Sequence, residues 1–162
     1  MKYKYLILVT LILIFTTGCF WTVKYKTKRD IKDIKSFHFS YSTGNYIYGS
    51  VSYEIKVEDE EYILSIKPDG VEEEKSTKIE IDEMAVKNVL NILNKYNVKS
   101  WNGFDKSDMD VLDGNSFSMS LTEKDGTNTS AHGYMMWPDN YHEVRDELDE
   151  LFKNILEEKK EN

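Results

Sequence analysis

From Ser36 onward the chain alternates apolar and polar residues with a period of two, the pattern of strands that bury one face only. Phe37, Phe39 and Tyr41 alternate with His38 and Ser40, and Ser42-Thr43-Gly44-Asn45 supplies turn residues. A longer strand is predicted over 46–57, with Ile47, Val51, Tyr53, Ile55 and Val57 on one face. Tyr46, Tyr48, Ser50, Ser52, Glu54 and Lys56 take the other. The acidic stretch Glu58-Asp59-Glu60-Glu61 makes the turn into a third strand built on Tyr62, Leu64 and Ile66, and a short fourth strand is expected near 77–81. The period then changes. Asp82 can cap a helix, and Val86, Val89, Leu90, Leu93 and Tyr96 fall on one stripe of a helix of about 14 residues. Strand alternation resumes with Phe117, Met119 and Leu121 against Ser116, Ser118, Ser120 and Thr122. Lys124-Asp125-Gly126 is a hairpin turn signal, and the returning strand sets Thr129, Ala131, Gly133 and Met135 against Ser130, His132 and Tyr134. Pro138-Asp139 opens a second helix with the stripe Tyr141, Val144, Leu148, Leu151, Phe152 and Ile155.

The expected order is β-β-β-β-α-β-β-α. Strands that alternate cleanly belong to a sheet covered on one side, so the prediction is an α+β fold: an antiparallel sheet of about six strands with two amphipathic helices on one face.

The N-terminal segment follows a different logic. Lys2 and Lys4 precede ten apolar-rich residues at 6–15, and Thr16-Thr17-Gly18-Cys19 follows. This is the layout of a secretion signal, and the apolar stretch is shorter than the ~20 residues a spanning helix needs. Thr16-Thr17-Gly18-Cys19 resembles the lipobox of bacterial lipoproteins, although that family usually carries an aliphatic residue where Thr16 stands. The resemblance implies cleavage after Gly18 and attachment of a diacylglyceryl group to Cys19, hence a protein anchored in the cell membrane on its extracytoplasmic side. The domains expected are a signal peptide over 1–18, a basic membrane-proximal tether over 19–35, a single domain over 36–157 and a frayed charged tail over 158–162. An uncleaved anchor helix extended through Phe20, Trp21 and Val23, or a cleaved protein with a free cysteine, are the alternatives.

Charge sharpens this division. The formal net charge of the 162 residues is −8. Residues 19–35 hold six basic against two acidic residues, whereas residues 36–162 hold 13 basic and 27 acidic. A basic segment beside an anionic membrane is attracted to it, and an acidic domain is held off it. The negative total disfavours nucleic acid as a partner, and one cysteine excludes a disulfide framework within the chain.

The sequence carries few chemical motifs. The sequence has no nucleophile elbow, phosphate-binding loop, dinucleotide turn or zinc-helix motif. His142-Glu143 is half of a zinc helix, but Asp146 occupies the second histidine's place. The acidic run Asp105, Asp108, Asp110, Asp113, Gly114 fails the spacing of a calcium loop. No catalytic residue, metal or cofactor is therefore expected. Candidate binding residues are His38, Tyr46, Tyr48, His132 and Tyr134, which would rise from the open sheet face, and Trp101 and Trp137, large aromatics beside turn formers. Tyrosine on a rigid sheet offers contact area at low entropy cost, which suits a protein or glycan partner.

Trp101-Asn102-Gly103-Phe104, Asp113-Gly114, Asp125-Gly126, Gly133 and Pro138-Asp139-Asn140-Tyr141 are similar to the pattern of small uncharacterised lipoproteins of Gram-positive bacteria. That resemblance implies location and fold, and carries over no functional residue except Cys19. The expected function is a non-enzymatic, lipid-anchored binding module at the cell envelope. An envelope hydrolase using the Asp105–Asp113 carboxylates and an immunity or inhibitor protein are the alternatives.

Overall fold

The computed structural model describes residues 30–43 and 49–161. Cys19, Gly18, Tyr46 and Tyr48 lie outside the described residues. The described chain forms one mixed seven-stranded sheet with two helices, an α+β fold. Its strands are β1 (Ser36–Ser42), β2 (Ser50–Glu58), β3 (Glu61–Lys67), β4 (Thr77–Ile81), β5 (Phe104–Ser107), β6 (Ser116–Thr122) and β7 (Asn128–Tyr134). Helix α1 (Glu83–Lys95) lies between β4 and β5, and α2 (Tyr141–Glu161) closes the chain. Strand order across the sheet is β4-β3-β2-β1-β6-β7-β5.

Alternation works as the pattern requires. Phe37, Phe39, Ile55, Leu64, Phe117, Met119 and Leu121 are at most 2% exposed, and the helices close over them with Val89, Leu93, Leu148 and Phe152. Each such side chain removed from water contributes about 1.5–3 kcal/mol. Asp82 caps α1, its carboxylate accepting the Ala85 N–H at 2.8 Å. The helices are joined at their exposed edges by Glu147, whose Oε1 accepts from Lys95 and from the Tyr96 hydroxyl, both at 2.5 Å. Gly133 is required by packing: a Cβ there would lie 2.1 Å from the Met136 carbonyl oxygen and 2.5 Å from Phe117 Cε1.

Four expectations are corrected. The sheet has a seventh strand, β5, and it pairs parallel with β7, so the sheet is mixed rather than antiparallel. Phe104-Asp105-Lys106-Ser107 is too short, with one apolar residue, to show a period. The helix α2 continues to Glu161 where a frayed tail over 158–162 was expected, its last turn closed by Lys159 and Lys160 at the negative end of the helix dipole. Val57, expected on the covered face, is 39% exposed, one residue before the end of β2.

The fourth correction moves a domain boundary. Ile31 and Ile34 are 2% and 0% exposed, so the tether predicted over 19–35 ends before Ile31. The Asn94 side chain on α1 clamps Ile31 by accepting its N–H and donating to its carbonyl, both at 2.8 Å. The buried carboxylate of Glu123 accepts the Lys32 N–H and pairs with Lys99, and Asp33 accepts the Lys124 N–H at 2.6 Å. Two isoleucines spaced by three give no strand period and no full helical turn, so a pattern search passes over them.

Candidate functional site

The cross-strand register places every open-face residue in a row. Lys56, Ser36, Thr122 and Asn128 form one row; Glu54, His38, Ser120 and Ser130 the next; Ser52, Ser40, Ser118, His132 and Asp105 a third. Six of these thirteen positions are serine, because an exposed strand position tolerates a small hydroxyl side chain without burial. The face is a low serine floor, with His38 on the central strand β1 and His132 two strands away on β7. His38 Nε2 lies 3.2 Å from the Ser40 hydroxyl, and His132 Nδ1 lies 3.4 Å from the Asp105 carboxylate in a well-exposed pair.

Tyr134 shares this face but is engaged. Its hydroxyl accepts the Gly114 N–H at 2.7 Å and lies 3.1 and 3.0 Å from the carbonyl oxygens of Val111 and Leu112, to either of which it can donate. Asp108 N–H donates to the Tyr134 carbonyl, and Met135 N–H donates to that of Asn115. The acidic loop after β5 is therefore fastened to the end of β7. Asp108 turns inward on its own loop, accepting the Asp110 N–H at 3.1 Å. The consequence is an apolar tip: Met109 is 84% and Leu112 93% exposed, with Met136 partly exposed on the neighbouring segment. Sequence reasoning missed Met109 and Leu112 because isolated apolar residues inside an aspartate-rich loop belong to no period.

The two tryptophans do not join this face. Trp101 is 2% exposed on the helix side, donating from Nε1 to the Asp139 carbonyl at 3.0 Å. Trp137 stacks on Tyr141 with centroids 4.6 Å apart, and both pack around Phe117. They plug the end of the core, and Trp101 is removed from the candidate binding residues.

The covered face holds its own polar cluster. Asp149 on α2 accepts from the hydroxyls of Tyr41 at 2.6 Å and Tyr53 at 2.8 Å, with the Arg145 guanidinium over the Tyr41 ring. Burial pushes the Asp149 carboxyl above the usual carboxylate range, and the two hydroxyls and Arg145 offset that only in part. Both tyrosines are pushed up in turn, first by burial and then by the Asp149 charge. This half-buried cluster fastens α2 to β1 and β2.

Among the described residues no group of three or more His, Cys, Asp or Glu side chains is placed to hold a metal ion, and no helix is long and apolar enough to cross a membrane. His142 lies against Tyr141 and Trp137 at the start of α2, while His132 stands on the other side of the sheet. Compared with known families and proteins, the chain matches no family model and no curated sequence.

The strands give the molecule two poles. Ser36, Lys56, Thr122 and Asn128 lie at the end where the chain enters the fold, and Ser42, Ser50, Ser116 and Tyr134 at the other. Seven residues per strand separate these poles by about 20 Å. The acidic loop with its apolar tip occupies the pole far from the chain entry.

Proposed function

We propose that the protein is a lipid-anchored, extracytoplasmic interaction module that is held at the membrane through Cys19 and presents the far pole, with the adjoining serine face, to a protein partner. The observation that carries the binding part is the fastened loop: Met109 and Leu112 are displayed to solvent by a backbone that Tyr134 holds in place. A pre-ordered loop loses less entropy on association than a free one, so apolar contact there is converted into affinity more fully. The acidic residues around the tip favour a partner whose docking patch is basic at its rim. The anchoring part is supported by the order of residues at 1–19, basic start, apolar stretch, then Gly18-Cys19.

The hydrolase alternative has less support. Among the described residues, Asp105 is the one carboxylate of the 105–113 loop paired with a titratable side chain, and that pair is solvent-exposed.

Two measurements test the two parts. Intact mass of the membrane-extracted protein is expected to show loss of residues 1–18 and a diacylglyceryl adduct that Cys19→Ser abolishes; an unmodified Cys19 refutes the anchor. A photo-crosslinking residue placed at Leu112 in intact cells is expected to yield one discrete protein adduct, with none from the same residue at Lys153 on α2. No adduct at Leu112, or the same adducts from both positions, refutes the docking surface.

A further inference from the structure

At the chain-entry pole the open face ends in a solvent-open hollow of about 640 Å³ lined by Lys35, Ser36, Lys56, Val57, Thr122 and Lys124. Lys56, Ser36 and Thr122 are cross-strand neighbours, and Lys35 and Lys124 flank them at the start of β1 and the end of β6. Two of the three lysines around the hollow, Lys56 and Lys124, stand in a segment, 36–162, where acidic residues outnumber basic ones two to one. Their charges are neutralised to different degrees. Lys35 pairs with no carboxylate among the described residues, whereas the Lys124 ammonium lies 5.5 Å from the centre of the Tyr62 ring and is held above its ordinary pKa by the Tyr62 hydroxyl and, more weakly, by the Asp33 and Glu83 charges. Lys56 meets Glu54 at 2.7 Å in a pair that is half exposed, the kind that exchanges partners at little cost. The Asp33 carboxylate accepts the Lys124 backbone N–H. Ser36 adds a hydroxyl to the lining of the hollow. Lysine ammonium groups with a hydroxyl match the oxygens of a phosphate, and the exposed Val57 supplies an apolar wall beside them.

Position selects the source of that phosphate. The hollow includes Lys35, five residues after Asp30, where the described chain begins. Only ten residues, 20–29, stand between Cys19 and Asp30, a reach of at most about 40 Å, and four of them are Lys24, Lys26, Lys28 and Arg29. We propose that the hollow binds the phosphate of an anionic lipid headgroup and so seats the chain-entry pole on the membrane that holds Cys19, turning the Met109–Leu112 tip away from the bilayer. This rests on the lipid-anchored reading above.

The full-length protein is reconstituted in neutral phosphatidylcholine vesicles and in vesicles containing phosphatidylglycerol, and lysine acetylation is read by mass spectrometry. A third arm adds inorganic phosphate to the neutral vesicles at matched ionic strength. Lys35, Lys56 and Lys124 are expected to label about fivefold less on anionic vesicles, the effect of a lysine held at an anionic surface, while Lys153 on α2 is unchanged. Lys56→Gln with Lys124→Gln, both at exposed positions, is expected to restore Lys35 labelling. Equal labelling on both vesicles overturns the proposal, and so does equal protection by inorganic phosphate, which assigns the hollow to a soluble anion. Failure of the anchor reads differently: a Cys19 peptide without lipid mass and no flotation with neutral vesicles. Protection that persists on anionic vesicles in that case still supports the headgroup site.

Discussion

Ile34→Ala tests whether the domain begins before Ser36. The side chain is fully buried and joins the core under β1. Replacing isoleucine by alanine removes three carbons, about 2.4 kcal/mol of transfer free energy, and the cavity left behind raises the cost into the 2–5 kcal/mol range for such changes. Taking about 3 kcal/mol against a total of about 5–15 kcal/mol, the variant loses a large part of its stability. Urea denaturation followed by tryptophan fluorescence reads this as a midpoint about 1–2 M lower than wild type at unchanged slope. Lys35→Ala, one residue on and exposed, is the control and is expected to stay within about 0.5 kcal/mol. If Ile34→Ala also stays within that margin, residues 30–35 are a tether and the clamp by Asn94, Glu123 and Asp33 does not hold in solution.

Two further outcomes follow from the polar contacts. Asp149 has a carboxyl raised in the folded state, so its contribution is fully present below the unfolded value of about 3.9 and is lost as pH rises through the folded value; stability should fall across that acid window, and Asp149→Asn should remove this component of the slope in pH-dependent urea melts. A wild-type curve that rises across the window, or an unchanged slope in Asp149→Asn, contradicts the assignment. Tyr134→Phe removes the acceptor for the Gly114 N–H and the donor to the loop carbonyls, and should speed amide exchange at Gly114 about tenfold, the equivalent of about 1.4 kcal/mol, while the β6 core amides are unchanged. Unchanged exchange at Gly114 would show that the loop holds itself.

The one-sided sheet was legible because alternation is a local property. Phe37-His38-Phe39 and Phe117-Ser118-Met119 determine by themselves which side chains share a face, and each face of the sheet then follows from burial. The same holds for α1, where Asp82 and the stripe from Val86 to Leu93 state both the start and the buried side. The binding candidates were read with the same rule and divided accordingly. His38, His132 and Tyr134 do share the open face, since strand parity decides that. Trp101 does not, because it lies in a short 3-10 turn, Val98–Trp101, where no parity applies and packing against Phe117 and Tyr141 sets its direction.

What the sequence by itself determined was therefore periodic: the class of fold, the strands that carry a serine face, and the division into a basic N-terminal part and an acidic remainder. The tertiary structure alone decided everything that depends on residues far apart in the chain. Ile31 is held by Asn94, sixty-three positions away, and Tyr134 holds Gly114 from twenty positions off. Lys35, Lys56 and Lys124 meet at one hollow only because β1 pairs with both β2 and β6. Local pattern sets each residue's side of a strand; strand order sets its neighbours, and the candidate sites of this protein are made of neighbours.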